Sequence, residues 1–192
     1  MPTPTVLPHP HLVADLAVNI LQRLEDDTEF SAFHQASLTG ADARQCFTGF
    51  PVISHWKLED DAPRLFTEAL RALALKAAVY ALTEDEQAAE IAIAVPVDEM
   101  THAMLAQPQL LHRIADCHAV TIIHQTDQEH TDYRPGDYTH RCYTVAWGEP
   151  PARYWLDHEQ VEANRRHLAD LYQSIGPGRS GREHTITFAP TA

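Results

Sequence analysis

Apolar residues return at intervals of three and four from residue 11 onward: Leu12, Val13, Leu16, Ala17, Ile20, Leu21 and Leu24, with Asp15, Asn19, Gln22 and Arg23 between them. That spacing predicts an amphipathic helix with one buried face. Ahead of it, Pro2, Pro4 and Pro8 mark residues 1–9 as a flexible tail. Thr28 reads as the N-cap of a short helix carrying Phe30, Phe33 and Leu38, which Thr39-Gly40 ends. Gly40, Gly49 and Pro51 punctuate the next stretch, and Val52 to Trp56 read as a short strand. The longest helical pattern follows through Leu65, Phe66, Ala69, Leu70, Leu73, Leu75, Ala77 and Ala78. Asp60 or Asp61 is its expected cap, Pro63 falls in its first turn, and it ends near Leu82. Thr83 to Glu86 has the spacing of a capping box and opens the next element.

Ile91 to Val95 either closes that element or forms a strand stopped by Pro96; Asp98 then caps a helix running to Ala106. Pro108 opens another, to about Asp116. Beyond this point β-favouring residues take over. Ala119 to Gln125 and Tyr138 to Trp147 are rich in Val, Ile, Thr, Tyr and Trp and predict two strands. A helix is expected from Asp157 to Ser174, ended by Gly176-Pro-Gly178, and a last strand from His184 to Phe188. The predicted architecture is a single compact α+β domain over residues 10–190. Its N-terminal part is mainly helical and its C-terminal part forms a small antiparallel sheet.

Composition narrows the function classes. A chain of 192 residues with 44% hydrophobic content can bury a substantial core. Its three cysteines, Cys46, Cys117 and Cys142, are too few and odd in number for a secreted disulfide framework. No signal-peptide pattern and no apolar run near eighteen residues is present, so the expected setting is soluble and cytoplasmic, without a membrane. The net charge of −13 opposes a phosphate-tracking surface, which argues against direct nucleic-acid binding.

The count of 13 histidines is the unusual feature. Between Cys117 and Cys142 lie His118, His124, Glu129, His130, Asp132 and His140, a supply of the ligands that zinc or iron uses. If two strands pair there, His124 and His140 share a face, and the intervening loop brings His130 and Asp132. Established motifs fail. His158-Glu159 starts like a zinc-protease helix, but Glu162 stands where the second histidine belongs. No Cys-x-x-Cys pair and no Gly-x-Ser-x-Gly elbow exists. Arg179 and Arg182, in the loop after the last helix, are candidates for holding an anion.

Acidic residues gather at helix ends, in Glu25, Asp26, Asp27 and Glu29, in Glu59, Asp60 and Asp61, and in Glu84, Asp85 and Glu86. Carboxylates favour helix N-termini, and their sum is also an acidic surface that steers toward a basic partner. The sequence therefore predicts a non-enzymatic acidic protein without a cofactor. It would engage and inhibit a basic, nucleic-acid-handling or toxin-like protein through Glu25, Asp26, Asp27, Glu29, Glu84, Asp85 and Glu86. The alternative is a small zinc- or iron-dependent hydrolase or oxygenase built on the 118–142 region, with His124, His130, Asp132 and His140 as ligands.

Overall fold

The structure is a computed structural model and describes residues 6–39, 52–124, 131–175 and 183–188. The helices among these are α1 (Pro10–Glu25), α2 (Phe30–Thr39), α3 (Leu58–Thr83), α4 (Glu86–Ala89), α5 (Val95–Leu105), α6 (Pro108–Cys117), α7 (Tyr138–Trp147) and α8 (His158–Ile175). No strand and no sheet occurs among the described residues, so the expected α+β fold is corrected to an all-helical one.

The long helix α3 is the axis on which the others are laid. Leu65, Phe66, Ala69, Leu70, Leu73 and Ala77 bury beside Ala62, Ala72, Ala74, Ala78 and Val79, so nearly its whole circumference is covered. A helix apolar all round must be wrapped. Helices α1, α2, α4, α5 and α7 do this, and α1 also packs against α7. The start of α3 lies three or four residues earlier than expected. Lys57 is its N-cap without a side-chain bond, and the Asp61 carboxylate in the first turn accepts the Lys57 N–H at 2.8 Å. Arg153 grips the same carboxylate at 2.8 and 3.0 Å, and the Tyr154 hydroxyl donates to it at 2.9 Å. Burial pushes the Asp61 pKa up, but these hydrogen bonds outweigh it and the net shift is downward. A second buried carboxylate, Glu68, accepts from Tyr143 at 2.6 Å, Trp155 at 2.8 Å and Arg71 at 2.9 Å. These bonds tie α7 and the 153–155 segment to α3.

The segment 138–147 is helix, not strand. Its β-favouring composition yields to local chemistry: Asp137 caps it by accepting the His140 N–H at 2.7 Å, and Gly148 ends it at φ +84°. Thr139, Cys142 and Tyr143 bury at three- and four-residue spacing, the helical period. The expected strand over 119–125 has no regular secondary structure at 120–124 and no ladder partner among the described residues. Val52 to Trp56 form a turn rather than a strand. The last expected strand, 184–188, is extended beside that turn. Its bonds are His55 N–H to Ile186 O at 2.9 Å and His184 N–H to Trp56 O at 3.0 Å, next to one isolated bridge between Lys57 and Glu183.

Helix α8 is set by a reciprocal cap, in which Asp157 Oδ1 accepts the Gln160 N–H at 2.7 Å and Gln160 Oε1 accepts the Asp157 N–H at 3.0 Å. Its Val161 and Leu168 join Val52 and Val95 in a small second apolar cluster, with Ile186 and Phe188 against it. At the other end of the chain the Tyr138 hydroxyl donates to the Pro8 carbonyl at 2.7 Å, which holds the end of the N-terminal segment against α7. No helix of the described residues is long and apolar enough to cross a membrane.

Candidate metal centre

Helix α5 begins at Val95, with Pro96 in its first turn, where a missing N–H costs nothing. Asp98 is therefore inside the helix rather than its cap, and its own N–H bonds to Ala94 O at 2.9 Å. This shift of start brings Asp98 and His102 onto one face, four residues apart. The irregular segment 120–124 then delivers His124 to the same face, anchored by buried Val120 and Ile123.

The three side chains converge. His102 Nε2 lies 3.7 Å from Asp98 Oδ2, and His124 Nε2 lies 3.9 Å from Asp98 Oδ1. The imidazole rings meet edge to face at 5.0 Å between centroids. One donor atom from each residue falls within 4.8 Å of the other two. Both histidine Nε2 atoms are fully buried and make no hydrogen bond. Such orphaned polar atoms cost free energy unless something occupies the space between them.

Zinc–nitrogen and zinc–oxygen bonds of about 2.0–2.2 Å around a tetrahedron put donor atoms roughly 3.3 Å apart. The two separations to the Asp98 carboxylate, 3.7 and 3.9 Å, are about half an ångström wider, a gap that small side-chain rotations close. The donor set also fits. Two imidazoles and one carboxylate suit zinc or ferrous iron and leave coordination positions open.

Burial, then the neighbouring charge of Lys76, then His102 push the His124 pKa down to about 3. His124 is thus neutral at neutral pH, the form that binds metal. On the far side of its ring, Nδ1 is 3.5 Å from the Lys76 ammonium, which α3 supplies. Lys76 is itself ion-paired with Glu90, both side chains being almost fully buried. Lys76, Glu90 and Asp98 sum to one negative charge, which a divalent ion turns to one positive. Glu90 also lines a cavity of ≈ 600 Å³ that Asp85, Asp132, Asp137 and Tyr138 border, so one ion pair separates that cavity from His124.

Of the ligands expected from sequence, His124 is in the centre. His130 lies outside the described residues. Asp132 is exposed at the rim of the cavity. His140 is engaged elsewhere: its Nδ1 meets the Tyr133 hydroxyl at 2.8 Å and its Nε2 faces Glu149 at 3.5 Å. With no ladder between 119–125 and 138–147, the expected meeting of His124 and His140 across strands has no basis. Asp98 and His102 were not among the expected ligands, although a carboxylate and an imidazole at i and i+4 were the available signal. Cys142 is buried, and burial raises its pKa to about 11, which makes it a packing thiol. Arg179, Arg182 and Cys46 lie outside the described residues.

The acidic residues expected to meet a partner are partly occupied at home. Glu29 makes a two-bond pair with Arg113 at 2.8 and 2.6 Å. Asp27 Oδ1 accepts the Glu29 N–H, and its Oδ2 is 3.0 Å from His118 Nε2. Asp85 caps α4 by accepting from Gln87 and Ala88. Glu84 ends α3 in a left-handed conformation at φ +54°. Glu25, Asp26, Glu84 and Glu86 are exposed, and Asp26 also accepts from Gln22 at 3.0 Å. Comparison with protein families, with curated proteins and with solved structures found no match to this chain.

Proposed function

We propose that this protein is a metal-dependent enzyme whose Asp98, His102 and His124 hold one zinc or ferrous ion. The observation that supports it is the pair of buried Nε2 atoms, without hydrogen bonds, aimed at the two oxygens of a single carboxylate. A three-ligand ion with open positions supplies an acidified water when it is zinc, or an oxygen-binding site when it is iron. The chain's own contribution is rigidity. Helix α5 fixes Asp98 and His102 on one face, and burial keeps His124 neutral and ready to ligate. The test is turnover of reloaded protein: zinc-loaded samples against ester, amide and phosphoester probes, and iron-loaded samples for oxygen uptake. Turnover that follows the metal and disappears in Asp98→Asn supports the reading. Activity independent of metal, or none with either ion, opposes it.

A second reading has its own support, since Glu25, Asp26, Glu84 and Glu86 are exposed in a chain of net charge −13. We propose on that basis that an inhibitory contact with a basic protein uses these helix ends. Reversing Glu25, Asp26, Glu84 and Glu86 to lysine should slow capture of the partner, and the wild-type on-rate should fall steeply with salt. Capture insensitive to both leaves the acidic residues as solubilising charges.

A further inference from the structure

A second cluster of metal-ligating side chains stands apart from the Asp98 centre, where the C-terminus of α6 meets the α1–α2 turn. Cys117 is the last residue of α6, His118 is its C-cap, and Asp27 lies in the turn. One donor atom from each falls within 4.8 Å of the other two. We propose that Asp27, Cys117 and His118 form a second metal site, selective for a soft divalent ion of the zinc class.

The donors are held in place from both sides. Asp27 Oδ1 is engaged by the Glu29 N–H at 2.8 Å, which turns Oδ2 toward His118 Nε2 at 3.0 Å. The His118 backbone N–H bonds back to Ile114 and Ala115. One turn earlier, the two-bond pair of Arg113 with Glu29 clamps α6 to the same turn. Asp27 is ninety residues from Cys117 in the chain, so the tertiary fold brings the third donor. The Asp27 and His118 side chains are largely buried, at 9% and 22% exposure, while Cys117 is exposed. An ion can therefore enter from solvent on the sulfur side and meet a preformed pair behind it. Binding replaces the proton shared between His118 and Asp27 and releases the Cys117 thiol proton, leaving a thiolate, an imidazole and a carboxylate on the ion. Thiolate in the set favours zinc over magnesium or calcium. This site contains the only sulfur in either cluster, and it is independent of the reading given to Asp98.

Cobalt(II) tests it, because only a thiolate ligand produces an intense near-ultraviolet sulfur-to-cobalt charge-transfer band. Metal-depleted protein titrated with cobalt should develop that band in step with one bound equivalent, and zinc should abolish it by competition. Cys117→Ser, Asp27→Asn and His118→Ala should each remove the band and lower the stoichiometry by one. Asp27→Asn keeps an oxygen for the Glu29 N–H, so its loss of binding reports the ligand rather than the turn. His102→Ala should leave the band in place, which separates this site from the Asp98 centre. A wild-type protein without the band overturns the proposal. So does a band that survives both Asp27→Asn and His118→Ala, since that is cobalt on a surface thiol only.

Discussion

Replacing Lys76 by methionine keeps most of the side-chain volume but removes a positive charge paired with Glu90 in the core. The two side chains are 3% and 2% exposed. A buried carboxylate deprived of its cation keeps the cost of lost hydration without the Coulombic return, and breaking such a pair costs about 3–5 kcal/mol. For a chain of this size each kcal/mol moves Tm by about 2–4 °C, so Lys76→Met should melt roughly 6–20 °C lower. In urea the midpoint should fall with little change in m, because the same surface is exposed on unfolding. The double variant Lys76→Met with Glu90→Met removes both charges and should recover most of the loss. The reasoning fails if Lys76→Met costs under about 1 kcal/mol, the range of a solvated pair, or if the double variant is as unstable as the single.

Two further outcomes follow from particular residues. His124 has a folded pKa of about 3 against an ordinary value of 6.5, so the unfolded chain binds the extra proton first. Its contribution to stability is fully present above pH 6.5 and is lost as pH falls toward 3; metal-free protein should show this acid limb, and His124→Gln should flatten it. Ala119 sits at φ +50° in a helix-ending turn, with its N–H on Asp116 and the Val120 N–H on Ala115, where a Cβ is unfavourable. Ala119→Gly should therefore raise stability by up to about 1 kcal/mol in urea, and a loss of stability would show that the strain argument is wrong.

The helices that the sequence made legible are those with a long apolar period or a proline at the start. Helix α1 follows its Leu12 to Leu24 pattern, α3 its nearly continuous apolar run, and α6 opens at Pro108 as expected. Helix α7 was hidden because Tyr, Thr, Val and Trp favour strands on composition. The competing signal was Asp137 three residues before His140, with Gly148 at the far end. Reading 138–147 as a strand then produced the antiparallel sheet and the pairing of His124 with His140. The metal centre was lost for a smaller reason. Asp98 has the composition of a cap, and a cap points away from the face that His102 occupies. Only the earlier start at Val95 puts the two on one side of α5. His124 was recognisable as a ligand by type alone. The Lys76–Glu90 pair behind it was not, because nothing local distinguishes a buried lysine from the exposed ones that sequence leads one to expect.

The central claim is that Asp98, His102 and His124 bind a metal, and elemental analysis of untagged protein tests it most directly. Cys117→Ser protein, which lacks the second site, should retain one tight equivalent after supply of zinc or ferrous iron under reducing conditions and dialysis. That equivalent should be lost when His102→Ala or His124→Ala is added to Cys117→Ser. Retention of well under one equivalent by Cys117→Ser protein, or a tight ion that survives both histidine substitutions in that background, would contradict the account.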